Sequence, residues 1–359
     1  MGLPEILISF QQKAVTAVQR SSRGMAAILL EDDTLEQFLT PYRREKELKK
    51  GDWTEANLKM LKLAFKGSPQ KVLAIRMIKK EDGTADLEGT LKEIIPMNID
   101  YLAYPGYVSG QMQAVKQFLK ETHAKGKKVK AVLPSCEADD EHIINFSTGH
   151  ITARWEDQDE TAEYTAAQYT CRIAGILAGL PLTQSSTYYA LPEVVDAQME
   201  EDPDAAIDAG KFILVFDGEK YKVGRGVTSL VTVSEEKTED LKKVKIVEGM
   251  DVLLHDIHTT FEENYVGKVV NSYDNKQMFV GAVNDYFRKI QGSILDGNAE
   301  NYVEVSAELN REYLEGHGID TEEMPEQELK EANTGSWMFL SGVVKFLDAA
   351  EDLKLQMEM

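Results

Sequence analysis

Cysteine is scarce. Cys136 and Cys171 are the only two in 359 residues. That is too few for a disulfide framework, and both are expected to be reduced thiols of a cytoplasmic product. No apolar run is long enough to span a bilayer, so no membrane insertion is expected. Met1–Phe10 lacks the basic start and long apolar core of a signal peptide, so synthesis in the cytoplasm is expected. G-x-G-x-x-G and G-x-x-x-x-G-K-[ST] are missing, and with them any visible phosphate cradle. The G-x-S-x-G elbow is missing too, and Gly224-Arg225-Gly226 reads as a turn. Positive charge is in deficit: 40 Lys and Arg against 61 Asp and Glu leave a net −21. This excludes a general nucleic-acid binder, which needs a basic footprint. The basic stretches Ser21–Arg23, Arg43–Lys50 and Lys125–Lys130 read as solvated surface.

The two ends of the chain are strongly patterned. Leu353-Lys354-Leu355-Gln356-Met357-Glu358-Met359 alternates apolar and polar residues, the period of a half-buried strand. Near the other end, Leu3 precedes Ile6, Ile8 and Phe10, which share one face, and Pro4 suits an edge or a strand start. Chain ends normally fray, so each strand-like end must be tied into a sheet. It either pairs within its own domain or leaves to complete the sheet of a neighbouring copy.

Between the ends the chain reads as a mixed α/β protein. Met25–Leu30 and Lys71–Ile78 are buried strands, Asn57–Phe65 and Asp86–Ile94 helices. Strand Tyr101–Tyr104, a helix with Met112, Val115, Phe118 and Leu119 on one face, and strand Lys128–Leu133 make a βαβ crossover, which implies parallel pairing. Ile143–Phe146 adds a strand. Thr161–Gly179 reads as a helix whose small residues, Ala166 to Ala178, pack tightly on the sheet. Asp217-Gly218 between apolar runs marks a hairpin. Lys243–Val247 reads as a strand, and Met250–Tyr265 and Met278–Ile290 as helices. Tyr302–Tyr313 reads as a weaker helix, Thr321–Thr334 as an acidic loop and Ser336–Met359 as β, starting with Val343–Phe346. Domain limits are expected at 1–20, 21–97, 98–234, 235–335 and 336–359.

No catalytic constellation emerges. His255 and His258 flank Asp256 on a helix, but without H-E-x-x-H or a third ligand they read as helix-face or capping residues. The pairs Glu235-Glu236 and Glu262-Glu263 and the run Asp139-Asp140-Glu141 read as solvated charge. Cys136 lacks a setting that would activate it. No catalytic residue, metal or cofactor is therefore expected.

Five ordered stretches resemble the contractile tail sheath proteins of phages and phage-tail-like bacteriocins, especially those of Gram-positive hosts. They are GLPEILISF (Gly2–Phe10), RIAGILAGLPLTQSSTYYALPEV (Arg172–Val194), DAGKFILVFDGEKYKVGRGVTSL (Asp208–Leu230), EGMDVLLHDIHTTFEENYVGKVVNSYDNK (Glu248–Lys276) and GVVKFLDAAEDLKLQMEM (Gly342–Met359). The resemblance implies a sheath-type core with terminal β-arms and a βα-rich outer domain near 98–234. It implies six-fold rings stacked helically around an inner tail tube, joined to baseplate and tail terminator proteins, in a virion or phage-tail-like particle. It also implies arms donated to neighbours: Leu3, Ile6, Ile8 and Phe10 at one end, Leu353, Leu355, Met357 and Met359 at the other. The acceptor strand would include Val343, Val344 and Phe346, Gly335 and Gly342 would be hinges, and Arg288 and Lys289 are candidates to touch the tube. An α/β enzyme using the Met97–Leu133 crossover and a binding module with strand-exchange oligomerisation are the alternatives.

Overall fold

The computed structural model describes residues 18, 23–155, 161–235 and 237–358. Two compact units are present. The larger holds Ser21–His255 and Phe346–Met359; the smaller is built on Asp256–Lys345.

A seven-stranded sheet organises the larger unit. Its order is Lys211–Phe212, Ile143–Phe146, Lys130–Pro134, Tyr101–Ala103, Met25–Leu30, Lys71–Arg76, Leu39–Tyr42. All neighbours run parallel except the last, which is antiparallel. Strands buried on both faces need no alternation, which is why MAAILL is apolar throughout. Ala26, Ile28 and Leu30 point to one core and Ala27 and Leu29 to the other. Helices α1 (Glu55–Phe65), α2 (Leu87–Ile94) and α3 (Met112–Ala124) cover the sheet, α1 on the first face, α2 and α3 on the second. The βαβ crossover through α3 has the expected parallel register, Leu102 opposite Ala131.

α4 (Ala166–Gly179) joins α1 on the first face and is buried from Tyr169 to Ala178. Its small residues serve a helix neighbour as well as the sheet. A side chain at Gly175 would collide with Ala64 O, and one at Gly179 with Gly67 O. Residues 162–164, expected to open this helix, form the strand Ala162–Tyr164, because Thr165 starts the helix afresh. The Thr165 hydroxyl accepts from Gln168 N at 3.2 Å, and Gln168 Oε1 accepts from Thr165 N at 3.0 Å, a reciprocal capping box. Thr165→Ala should lower stability by about 1 kcal/mol. An unshifted urea midpoint would show that the cap contributes nothing.

After α5 (Pro203–Asp208), Leu214–Phe216 pairs with Tyr221–Val223 around Asp217-Gly218, the hairpin the sequence predicts. The boundary expected at 97/98 is corrected. Tyr101–Ala103 lies hydrogen-bonded beside Met25–Leu30, so both belong to one continuous sheet.

α6 (Val244–Asn264) begins where a strand was expected. Only Lys243 keeps a bridge, to Val227, while Val244, Ile246 and Val247 are buried as helix residues. In the smaller unit α7 (Tyr273–Ile290) buries Phe279, Val283, Tyr286, Phe287 and Ile290, as its period requires. The weak helix expected over Tyr302–Tyr313 is instead the strand Tyr302–Val305 followed by α8 (Ala307–Gly316). Ser306 divides them by accepting from Leu309 N at 3.2 Å. A short helix, α9 (Glu326–Glu331), interrupts the expected acidic loop.

Candidate functional site

The smaller unit carries an antiparallel pair, Tyr302–Val305 with Leu340–Val343, Val303 opposite Gly342. Asn284 of α7 holds it from below, donating to Val303 O at 2.9 Å and accepting from Val303 N at 2.8 Å. Among the described residues this sheet has two strands; Asn284 takes up Val303 N and O, so the edge left without a described partner is that of Leu340–Val343. Such edges are templates for strand addition. Val343 is the last residue of its strand and is exposed. Val344 and Phe346, expected within the same strand, lie beyond it and are half-buried. Gly342 is not a free hinge: it sits in the ladder, where a side chain would strike Tyr302 O. Gly335 does turn the chain, at φ +62°. Asn271 braces that turn by donating to Gly335 O at 2.9 Å and Trp337 O at 2.8 Å.

The C-terminal arm has strand patterning but no strand. Residues 353–358 pair with nothing described. Leu353, Leu355 and Met357 are 89%, 70% and 79% exposed. Met359 and the N-terminal set Leu3, Ile6, Ile8 and Phe10 lie outside the described residues. Arg288 and Lys289 are exposed in the last turn of α7, and Arg288 pairs back to Asp285.

Residues weighed for chemistry are occupied structurally. His255 Nδ1 lies 3.3 Å from Gly126 O, whereas His258 Nδ1 sits 3.9 Å from Glu262. Asp256 accepts from the Tyr286 hydroxyl at 2.6 Å. Cys136 is buried against the Tyr107 hydroxyl at 3.2 Å, and burial pushes its thiol pKa up. Asp139 is exposed, as solvated charge should be, and it also braces a loop, accepting from Val231 N at 2.7 Å and Thr232 N at 2.8 Å. In doubly wound sheets ligands bind where the strand order reverses. Here that place is an open crevice of about 180 Å³ beside Leu30, Asn57 and Tyr104. It is walled by Glu31, whose carboxylate accepts from the Tyr104 hydroxyl at 2.6 Å.

A buried charge cluster, not legible in the sequence, joins α6 to the sheet. Lys130 Nζ donates to Asp251 Oδ2 at 2.7 Å and lies 3.1 Å from Glu248 Oε1, which also leaves Glu248 close to Arg23. His142 Nε2 is 3.1 Å from Asp251 Oδ1, and the His142 ring meets His123 edge to face at 4.2 Å. Burial pushes the Asp251 pKa up, but Lys130 and His142 outweigh it and hold the carboxyl well below the usual range. Burial and the neighbouring His142 push His123 down to about 4. Asp140, Glu141 and His142 bring potential ligand atoms together. They are already engaged, Glu141 with Lys237 at 2.6 Å and His142 with Asp251.

The phage tail sheath protein central domain matches residues 80–229, and the phage tail sheath C-terminal domain matches residues 236–359. A tail sheath protein of Clostridium phage phiCD119 is 34% identical across 100% of this chain and 99% of its own length. The chain belongs to the phage tail sheath family. Two solved structures share its fold. One is a sheath tail protein from Desulfitobacterium hafniense (TM-score 0.67, 17% identity, 84% of this chain and 93% of that one). The other is the helical sheath of the anti-feeding prophage in its contracted state (TM-score 0.68, 14% identity, 100% and 99%). The protein is thus a tail sheath component of a virion or phage-tail-like particle. Among the described residues no helix is long and apolar enough to cross a membrane.

Proposed function

We propose that copies of this chain stack as six-membered rings wound helically around an inner tail tube, and that shortening of the sheath drives the tube through a bacterial envelope. The carrying observation is the C-terminal arm: a strand-patterned segment whose apolar side chains are left in water by its own subunit. The arm would add to the open strand pair of a neighbouring copy, and the N-terminal arm would do the same elsewhere in the lattice. Each hydrogen bond so made contributes about 0.5–1.5 kcal/mol net. Each fully buried apolar side chain contributes about 1.5–3 kcal/mol. Ordering the arm opposes this by about 1–2 kcal/mol per residue. Single joints are therefore modest, and the repeating lattice makes the sheath. Contraction needs two packings of the same subunits that differ in free energy, with the arms surviving the change as tethers.

The remaining partners follow from the same reading: the tube protein, touched through Arg288 and Lys289, and the baseplate and tail terminator at the two ends. Direct nucleic-acid contact is not part of it, consistent with a net charge of −21. Negative-stain microscopy of the purified chain tests the proposal. Long hollow tubes are expected; discrete particles at every concentration would overturn it.

A further inference from the structure

The stretch just before the arm is held as firmly as the arm is free. Glu351 turns inward, with a side chain 8% exposed. Its Oε1 lies 2.7 Å from the hydroxyls of both Ser185 and Thr187. Arg225 stands 3.7 Å from Glu351 Oε2 and donates to Asp352 Oδ1 at 2.7 Å. Lys243 pairs with Asp348. The Thr187 hydroxyl also accepts from Gly226 N at 3.0 Å, and a side chain on Gly226 would run into Ser186 Oγ. Gly224-Arg225-Gly226, a mere turn in the sequence, is thus one wall of a built carboxylate receptor, and Ser185-Ser186-Thr187 is the other. Burying a carboxylate is costly unless it is hydrogen-bonded and paired. A tail that was simply loose would not place one here.

We propose that Glu351 is a positioning residue: seated on Ser185, Thr187 and Arg225 of its own subunit, it sets the point from which the chain leaves toward a neighbour at Leu353. The inference rests on the reading of Leu353–Met359 as a donated arm. Anchored, the free tether is the seven residues from Leu353 to Met359, reaching at most about 25 Å. Without the Glu351 seat it starts after Asp348, which Lys243 still holds. That lengthens it from seven residues to eleven. Lengthening a flexible tether by that much lowers the effective concentration of its tip by about twofold.

The test is a nitroxide at Ala350→Cys in the full chain, kept below its assembly concentration. Cys136 and Cys171 are buried and do not compete for the label. The anchor predicts a slow spectrum at position 350, beside a fast one from Leu355→Cys. Glu351→Ala should make position 350 fast and raise the threshold concentration for tubes about twofold. Glu351→Gln, which keeps an acceptor for both hydroxyls, should retain the slow component. Position 350 as mobile as 355 without the Glu351 change, or a threshold unmoved by Glu351→Ala, would overturn the anchor. Tubes from a chain lacking Leu353–Met359 would instead sink the donated-arm reading, and the mobility at position 350 would still judge the receptor.

Discussion

A chain ending at Asp352 folds normally and forms no sheath. The larger unit buries its core without Leu353, Leu355 and Met357, which stand in water in the single subunit. Their removal therefore costs the fold almost nothing and leaves the thermal midpoint unchanged. It also takes away the strand on which every donated joint depends. Sedimentation and negative-stain microscopy should find soluble monomer at concentrations where the intact chain pellets as tubes. Substituting Leu355 and Met357 by serine should act the same way while leaving the backbone in place. That variant separates loss of apolar burial from loss of backbone pairing. Sheath of normal length from the truncated chain would refute strand donation at this end.

The second large effect is on stability. Asp251→Ala should destabilise the larger unit by about 3–5 kcal/mol in denaturant unfolding, because it strands the Lys130 charge in the interior. A loss under about 1 kcal/mol would mean that Glu248 alone satisfies Lys130. The same cluster gives the subunit an acid limit. His123 is held at about 4, below its ordinary 6.5. Between those pH values the unfolded chain binds a proton that the folded chain refuses, so stability falls as pH drops from 6.5 toward 4. Asp251, with its pKa depressed, contributes stability that is present above 3.8 and is lost as pH falls further. Asp251→Ala should flatten the second part of this profile, and His123→Phe the first. A stability curve unchanged between pH 7 and 4 would remove His123 from the account.

Much of this was legible because it is local. Met25–Leu30 is apolar on both faces, and Met278–Ile290 repeats at a helical period. Asp217-Gly218 demands a tight turn whatever surrounds it. The errors came from short segments whose own preference is weak. Val244–Val247 has strand-like residues, yet it starts a helix because Val244, Ile246 and Val247 find buried places in that form. Tyr302–Val305 looked like part of α8 until the Leu340–Val343 strand supplied its hydrogen bonds. Thr165 and Gln168 did carry a readable signal, the T-x-x-Q capping box, that would have placed the start of α4 correctly.

By itself, then, the sequence determined the α/β class, the parallel crossover, the resemblance to tail sheaths and the strand-like period of the C-terminal arm. Each of these is written in neighbouring residues or in ordered stretches. Only the tertiary structure decided that residues 353–358 of the arm have no partner among the described residues, that Glu351 finds Ser185 166 positions away, and that Lys130 meets Asp251 across 121. The reason is physical. A period is a property of the chain over one or two turns, whereas the partner of a buried charge depends on which distant segments the core brings to the same place.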